Sequence, residues 1–282
     1  MSAKIIDGKA VAARLDQKTA ELVAKLGIRP GLAAILAGDD PASHLYVSLK
    51  EKACARLGIA FKKVLLPADA AEETVLAAVR RLNDDPDVDG FIVQLPLPPH
   101  LNEDKVVASI DTAKDADGFH VKNIAALLLR RELVVPGLVA GIMELIGSTG
   151  AVLAGKTAVI VANSRVFFEP LAEMLKRAGT GLQEYAESYS PKLRSQCRSA
   201  DILIVAVGKP NFITGDMIKP GAIVIDVGTN RLGGKVVGDA DAASVKEAAG
   251  WLTPVPGGVG PVTVAMLLLN TVKLASKRRF GT

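Results

Sequence analysis

Tyr46 and Lys50 place a phenol and an amine at a spacing that suits acid–base chemistry. The preceding Asp40-Pro41 interrupts an apolar run and predicts the start of a helix that carries both residues. Four positions apart on a helix, the two side chains project from one face. A lysine whose pKa is lowered by burial can move protons near neutral pH, beside a phenol that orients the substrate. The same spacing also suits an exposed polar helix face, so the pair alone leaves both interpretations open.

The elements around this pair predict an α/β fold with parallel sheets, because apolar runs alternate with helix-like segments along the whole chain. The predicted strands span residues 32–36, 61–66, 90–95, 156–162, 181–187, 202–207 and 222–227, and the predicted helices include 71–83, 124–131, 170–177 and 262–277. The succession after residue 138 is typical of a Rossmann-like nucleotide domain.

Three loops could contact a ligand. The third strand ends in Gln94-Leu95-Pro96, with further prolines close behind, and open α/β sheets bind ligands at such strand ends. The next loop carries Asp115 and Asp117, which are either turn residues or hydrogen-bond acceptors. Near the C-terminus, residues 254–261 read PVPGGVGP, which indicates either a loop pressed against a ligand or an interdomain linker.

Composition excludes several functional classes. The net charge is only +4 and aromatic residues make up 4%, so neither a basic patch nor stacking platforms for nucleic acid are expected. Lys277-Arg278-Arg279 is expected to be a solvated tail. No uninterrupted apolar run reaches the length of a membrane span, and no signal peptide is predicted. Three histidines without a cluster predict no metal site, and the two distant cysteines predict reduced, structural thiols in a cytoplasmic protein.

Six sequence runs, in order, resemble the bifunctional methylenetetrahydrofolate dehydrogenase/methenyltetrahydrofolate cyclohydrolase family. They are GDDPAS with YVxxK at 38–50, DGFIVQLPLP at 89–98, KDADGFH at 114–120, VAVGKP at 205–210, IDVGTNR at 225–231, and the segment 253–263. The QLPLP and PGGVGP segments are the most specific. Tyr-x-x-x-Lys is also a short-chain dehydrogenase signature, but there the glycine-rich turn precedes the pair, whereas here the pair comes first.

The resemblance implies a folate-binding catalytic domain at 1–137 plus 262–282, a Rossmann-like NAD(P)-binding domain at 138–261, and a C-terminal helix that returns to the first domain. It also implies that Lys50 is the catalytic proton shuttle, that Tyr46 orients the folate, that Gln94 tunes the lysine and that Asp117 accepts hydrogen bonds from the pterin. The remaining implied folate contacts are Leu95, Pro96, Gly257, Gly258 and Pro261. The implied NADP contacts are Ala162, Asn163, Ser164, Ser188, Val207, Gly208 and Thr229.

The sequence departs from the family pattern on the cofactor side. Ala162 and Phe168 replace two glycines of the usual dinucleotide turn, and Glu187 replaces a histidine near the adenosine phosphate. A phenylalanine fills space that a pyrophosphate needs, and a carboxylate repels a 2′-phosphate. We therefore expect hydrolysis of 5,10-methenyltetrahydrofolate to 10-formyltetrahydrofolate, with NADP-dependent oxidation of the 5,10-methylene compound weak, lost or moved to another cofactor.

Two alternatives stay open. The cofactor loop could be rearranged in a fully bifunctional enzyme, or the chain could be a non-catalytic folate-binding module. The intact set of Tyr46, Lys50, Gln94 and Asp117 argues against the module, since a pure binder does not need an acid–base lysine. The resemblance further implies a homodimer that binds a small folate substrate, with neither nucleic acid nor membrane as a partner.

Overall fold

The computed structural model of this protein describes residues 2–163 and 165–281, in which strands and helices alternate. The elements of the first half are β1 (Lys4–Ile5), α1 (Gly8–Leu26), β2 (Gly31–Ala37), α2 (Pro41–Arg56), β3 (Ala60–Leu66), α3 (Glu72–Asp84), β4 (Gly90–Val93), α4 (Glu103–Ala108) and α5 (Val121–Leu128). Those of the second half are α6 (Gly137–Ser148), β5 (Thr157–Ala162), α7 (Arg165–Arg177), β6 (Leu182–Ala186), α8 (Leu193–Ser199), β7 (Ile202–Ala206), a 3₁₀ turn (Gly215–Met217), β8 (Ile223–Asp226), β9 (Asn230–Leu232), β10 (Lys235–Val237), α9 (Ala242–Ala248), β11 (Trp251–Leu252) and α10 (Val259–Phe280).

The chain divides into two compact units. The three-stranded unit consists of Arg14–Gly137 and Val264–Thr282, and the six-stranded unit consists of Met1–Ala13 and Leu138–Thr263. The predicted domains, 1–137 plus 262–282 and 138–261, stay a prediction; in this division the segment Met1–Ala13 belongs to the six-stranded unit. The physical reason is that β1 pairs in parallel with β11. Strands of two residues have no periodic pattern, so the sequence does not predict this pairing.

In the three-stranded unit, β2 is the central strand of a parallel sheet in the order β3-β2-β4. Its side chains alternate between two hydrophobic clusters, because successive residues of a strand point to opposite faces. Ala33 and Ile35 pack with helix α3 on one side, and Leu32 and Leu36 pack on the other. Burial on both faces explains why β2 reads as a continuous apolar run.

The C-terminal helix α10 covers the second of these faces. Leu267, Leu268, Val272 and Leu274 join the cluster that contains Leu32 and Leu36. This confirms the predicted return of the helix to the first domain. By length and composition, α10 could also span a membrane, although the sequence contains no uninterrupted apolar run of that length. However, 67% of the most apolar window of α10 is buried inside the protein.

The six-stranded unit contains a parallel sheet in the order β1-β11-β8-β7-β5-β6. This order reverses direction along the chain at β5, as expected for a doubly wound nucleotide-binding sheet. The central strands β5 and β7 are almost wholly buried. The α/β fold class predicted from the alternating pattern is therefore confirmed, and the carboxyl ends of β5, β6 and β7 form the edge where such sheets bind ligands.

The basic C-terminus differs from the predicted solvated tail. Arg278 and Arg279 both bind the carboxylate of Asp89, whose side chain is fully buried. Asp89 also accepts a 2.9 Å hydrogen bond from the backbone N–H of Gly31 at the start of β2. The two arginines therefore fasten the end of α10 to the central sheet, because a buried carboxylate needs charged partners.

Candidate active site and dinucleotide site

Helix α2 presents Tyr46 and Lys50 as the sequence predicted. Asp40 caps the helix, its carboxylate accepting 2.8 Å hydrogen bonds from the backbone N–H and the hydroxyl of Ser43, and Pro41 occupies the first turn. The apolar side of α2 is buried against the sheet. Lys50, which is half-buried, lies three positions after the buried Val47 and four before the buried Cys54. Tyr46, which is 37% exposed, lies one turn earlier on the helix.

Lys50 is held by Gln94, the residue that follows β4. The Lys50 Nζ donates a 2.8 Å hydrogen bond to Gln94 Oε1, and the Gln94 amide nitrogen donates a 2.7 Å bond to the carbonyl of Leu95. Desolvation by burial lowers the pKa of Lys50, while the nearby charge of Asp117 acts in the opposite direction. A desolvated amine with a fixed orientation is suited to accept and return a proton.

Asp117 lies in the loop that the sequence predicted between residues 111 and 119. Burial raises the pKa of Asp117 to about 6, the charge of Lys50 opposes this shift, and the charge of Asp115 adds to it. Lys50 and Asp117 therefore influence each other's protonation. Gln94 is linked to this pair through its hydrogen bond with Lys50.

Asp115 folds the loop that presents Asp117. Its carboxylate accepts hydrogen bonds from the backbone N–H groups of Gly118 (3.0 Å) and His120 (2.9 Å) and from the side-chain amide of Asn123 (2.9 Å). Asp115 is therefore a turn residue, one of the two roles left open by the sequence. Gly118 has φ +79°, and a Cβ there would lie 2.9 Å from Pro136, so this turn requires glycine.

Sequence reasoning missed Asn270 of α10. Its side-chain amide donates to the carbonyls of Ala116 (3.1 Å) and Val135 (2.9 Å), on either side of the segment that carries Asp117. An asparagine amid buried apolar residues of a helix was the one available signal. Asn270 shows that the C-terminal helix supports the loop of the candidate site.

The predicted folate-lining residues fall in two places. Leu95, which is 42% exposed, and Pro96 follow Gln94 in the three-stranded unit. Gly257, Gly258 and Pro261 belong to the six-stranded unit. Gly257 has φ +105°, and a Cβ on Gly258 would lie 2.6 Å from the Pro254 carbonyl, so the fold of their own loop requires both glycines. Their contact with folate stays a prediction.

At the edge of the six-stranded sheet, polar side chains connect three strand ends. The Asn163 amide nitrogen donates a 2.8 Å bond to the carbonyl of Val207, and the Ser188 hydroxyl lies 3.4 Å from Asn163 Oδ1. The Lys209 ammonium donates a 3.2 Å bond to the Ser188 hydroxyl. Ala162 is buried at the end of β5, and Ser164 lies outside the described residues.

The loop after β7 is held by Asp239, which sequence reasoning missed. Its buried carboxylate accepts hydrogen bonds from the backbone N–H groups of Val207 (2.6 Å), Gly208 (3.0 Å) and Lys209 (2.9 Å) and from the side chain of Asn230 (2.8 Å). Asp226, whose pKa burial raises to about 6, in turn accepts bonds from backbone N–H groups on both sides of the β9–β10 hairpin. Thr229 is exposed at the start of that hairpin.

The chemistry of these groups fits a nicotinamide dinucleotide. Lys209 and Ser188 can donate hydrogen bonds to phosphate oxygens, and Gly208, at φ +68°, leaves open space beside the backbone. Glu187 follows β6 directly and supplies acceptors for a ribose. Phe168, which stands where the family has glycine, packs edge-on against Tyr185 with ring centroids 5.4 Å apart. The expectation that Phe168 fills the pyrophosphate space stays a prediction.

A metal ion has no evident place in this arrangement. Across residues 2–163 and 165–281, no group of three or more His, Cys, Asp or Glu side chains could hold one. Cys54 and Cys197 are free, buried thiols, and burial raises the pKa of each to about 12. Buried thiols of this kind are packing groups, because the reactive thiolate form is suppressed.

Comparison with known proteins places both units in one family. Residues 6–117 match the catalytic domain of tetrahydrofolate dehydrogenase/cyclohydrolase, and residues 136–279 match its NAD(P)-binding domain. The bifunctional protein FolD of Bordetella avium is 47% identical over 281 residues, which cover 98% of this chain and 99% of the relative. FolD of Geobacillus thermodenitrificans is also 47% identical, over 98% of both chains.

Solved structures agree with this assignment. The bifunctional FolD of Campylobacter jejuni superimposes with a TM-score of 0.92 at 42% identity, covering 98% of this chain and all of that one. The Trypanosoma brucei enzyme, solved with NADP and an inhibitor, gives a TM-score of 0.92 at 36% identity and 99% coverage of both chains. The resemblance seen in the sequence runs is thereby confirmed, and the chain belongs to the tetrahydrofolate dehydrogenase/cyclohydrolase family.

Proposed function

We propose that this protein hydrolyses 5,10-methenyltetrahydrofolate to 10-formyltetrahydrofolate and oxidises 5,10-methylenetetrahydrofolate with a nicotinamide dinucleotide. The observation that carries the proposal is the hydrogen bond from Lys50 to Gln94 in a desolvated position beside Asp117. Relatives that share nearly half of the sequence over its full length are bifunctional proteins. The reaction therefore follows the family, and the residues below are assigned from their geometry and chemistry.

In the hydrolytic step, Lys50 accepts a proton from the water whose oxygen attacks the methenyl carbon. Burial lowers the pKa of Lys50, which increases the fraction of the neutral amine that can accept this proton. The same amine then returns the proton to N5 as the bond between N5 and the carbon breaks. The 10-formyl product is released, and one proton leaves overall because the methenyl substrate is a cation. Gln94 directs the amine through its 2.8 Å hydrogen bond.

Tyr46 and Asp117 orient the substrate. The phenol of Tyr46 lies one turn before Lys50 on the same side of α2, where it can pack against the flat pterin. The Asp117 carboxylate is the natural acceptor for a ring that presents N–H donors. Leu95 and Pro96 extend the surface next to Gln94. These roles, and the contacts of Gly257, Gly258 and Pro261 with folate, are proposals.

In the oxidative step, a bound nicotinamide dinucleotide would supply the hydride acceptor. The residues that would hold it are the polar groups at the edge of the six-stranded sheet, namely Asn163, Ser188, Val207, Gly208 and Lys209. The T. brucei relative was solved with NADP. The predicted dominance of hydrolysis over oxidation in this chain stays a prediction, which parallel rate measurements with NAD and NADP can test.

Replacing Lys50 by methionine tests the catalytic assignment. Lys50→Met should lower the rate of methenyltetrahydrofolate hydrolysis by about 10²–10⁴-fold, because the proton shuttle is lost, while folate binding persists. Lys52→Met, on the same helix but exposed, is the matched control and should leave the rate unchanged. An active Lys50→Met enzyme would refute the assignment. A wild-type protein that binds folate but catalyses neither reaction would support the non-catalytic module instead.

We further propose that the protein is a cytoplasmic homodimer whose partner is a small folate, with no nucleic acid or membrane partner. The family resemblance, the small net charge of +4 and the burial of α10 support this proposal. Analytical ultracentrifugation should give twice the chain mass of 29.4 kDa. Sedimentation at the mass of a single chain would contradict the dimer.

A further inference from the structure

Glu187 occupies the position that reads the adenosine ribose in parallel nucleotide-binding sheets. Strands β5 and β6 are parallel neighbours joined through α7, and Glu187 is the first residue after β6. An acidic residue at this point accepts a hydrogen bond from a ribose 2′-hydroxyl, whereas a basic residue nearby accommodates a 2′-phosphate. The topology therefore places Glu187 where a side chain can distinguish NAD from NADP.

The contacts of the adjacent residue place this position at the ligand-binding edge. Ser188 lies 3.4 Å from Asn163 in the turn after β5, and it accepts a hydrogen bond from Lys209 in the loop after β7. The end of β6 is thus joined through side chains to the ends of β5 and β7. A dinucleotide that lies along this edge brings its adenosine ribose to the end of β6.

Glu187 keeps acceptor capacity for a ligand. It is half-buried, and its carboxylate accepts a hydrogen bond from the hydroxyl of Tyr189, which is 79% exposed. A carboxylate offers about four acceptor sites, so one phenol leaves room for a ribose hydroxyl. A 2′-phosphate, by contrast, brings two further negative charges and only acceptor oxygens to the same place.

Two cations near this edge are already engaged. The Lys209 ammonium binds the Ser188 hydroxyl and lies 5.1 Å from the Phe212 ring centroid. Arg165 stacks on the Tyr185 ring at 5.0 Å. Both could attract a 2′-phosphate, so the carboxylate of Glu187 is the group that opposes it. Removing that one charge should therefore reverse the preference while the cations remain.

We propose that Glu187 makes this protein bind NAD in preference to NADP, by accepting a hydrogen bond from the adenosine 2′-hydroxyl and repelling a 2′-phosphate. NADP then binds at the same place but more weakly. This inference rests on the proposed function, because the dinucleotide is the hydride acceptor of that reaction.

Calorimetric titration of the full chain with each dinucleotide tests the proposal without reference to activity. The wild type should bind NAD about tenfold more tightly than NADP. Glu187→Gln, which keeps the shape of the side chain, should tighten NADP binding about tenfold and weaken NAD binding severalfold. Glu247→Gln removes the same charge from an exposed position on α9 and should change neither affinity.

Two smaller probes isolate the ribose contact. The wild type should bind AMP more tightly than adenosine 2′,5′-bisphosphate, and Glu187→Gln should invert that order. The proposal would be overturned if the wild type bound NADP more tightly than NAD, or if it bound neither dinucleotide. It would also be overturned if Glu187→Gln changed the affinities for NAD and NADP equally. The hydrolysis assay of Lys50→Met does not depend on dinucleotide binding. A wrong dinucleotide preference would therefore leave the proposed hydrolysis standing, and loss of the hydrolysis assignment would leave the dinucleotide preference standing.

Discussion

The ammonium of Lys50 donates a 2.8 Å hydrogen bond to the side-chain oxygen of Gln94, which joins helix α2 to the end of strand β4. The two residues are 44 positions apart in the sequence, and the parallel pairing of β2 with β4 brings them together. A neutral amide fixes the orientation of the amine without adding charge. The proton affinity of Lys50 is therefore set mainly by desolvation, with Asp117 as the opposing influence.

Changing the charge of residue 94 should move the pH profile of hydrolysis. Gln94→Glu places a carboxylate against Lys50, raises the pKa of the lysine and shifts the acidic limb of the rate profile, where the rate rises with pH, to higher pH by about one unit or more. Gln94→Met removes the acceptor without adding charge, so its limb should not move upward. Both profiles can be measured as kcat against pH. An unchanged limb in Gln94→Glu would contradict the role of Lys50 as the base.

Asp117 should make folate binding pH-dependent. Because its pKa is raised to about 6, the carboxylate is present above that pH and is lost below it. We expect KM for the folate substrate to rise as the pH falls through about 6. Asp117→Asn should raise KM at every pH and remove this dependence. A wild-type KM that is constant from pH 5 to 8 would contradict the acceptor role.

The same residue should lower the stability of the protein at neutral pH. An acid whose pKa is raised on folding, here from 3.8 to about 6, binds more protons in the folded state, so stability falls as pH rises through that window. Asp117→Asn removes this penalty and should increase the free energy of unfolding at pH 7.5 by about 1–2 kcal/mol. Asp69→Asn, at an exposed position, is the control. Destabilisation by Asp117→Asn in denaturant titrations would contradict this expectation.

Asp89 should be essential for the three-stranded unit. Asp89→Ala leaves Arg278 and Arg279 without their buried partner and should cost about 3–5 kcal/mol. Glu73→Gln disrupts an exposed ion pair with Arg80 and should cost less than about 1 kcal/mol. Hydrogen–deuterium exchange of β2 and α10 peptides measures the difference. Equal protection in the two variants would show that the ion pairs of Arg278 and Arg279 with Asp89 do not stabilise the three-stranded unit.

Asp239 should control dinucleotide affinity through the loop after β7. Its carboxylate accepts three backbone N–H groups, from Val207, Gly208 and Lys209. Asp239→Asn turns an amide toward these donors and should weaken dinucleotide binding about tenfold or more, because buried donors are left unpaired. Calorimetry measures the change, and Glu247→Gln again serves as the control. Wild-type affinity in Asp239→Asn would show that the loop keeps its shape without the carboxylate.

The sequence predicted the principal strands because their signals are local. Strand β2 is a continuous apolar run, and Asp40-Pro41 marks the start of α2 as the capping geometry now shows. Strand β4 ends at Val93, two residues earlier than predicted, shortly before the prolines at positions 96, 98 and 99. The strands β1 and β11 have two residues each, too few for any periodic signal.

The supporting residues of the site could not be predicted, because their partners lie far away in the sequence. Asn270 reaches Ala116 across 154 positions, and Arg278 reaches Asp89 across 189. Single-sequence patterns carry no information about such pairs. The family runs, by contrast, implied that Lys50, Gln94 and Asp117 share one site. Lys50 donates a hydrogen bond to Gln94, and Lys50 and Asp117 shift each other's pKa, but the site roles of the three residues stay a prediction.

In the proposed mechanism, Lys50 is a desolvated amine that exchanges protons with the substrate. The most direct measurement is a pH titration of the Lys50 ¹³Cε resonance by NMR. The resonance is assigned as the lysine signal that is missing from the spectrum of Lys50→Met. The midpoint should lie below 10.5, the ordinary pKa of lysine, because burial lowers the pKa of Lys50. A midpoint at or above 10.5 would show a fully charged lysine at neutral pH and would contradict it.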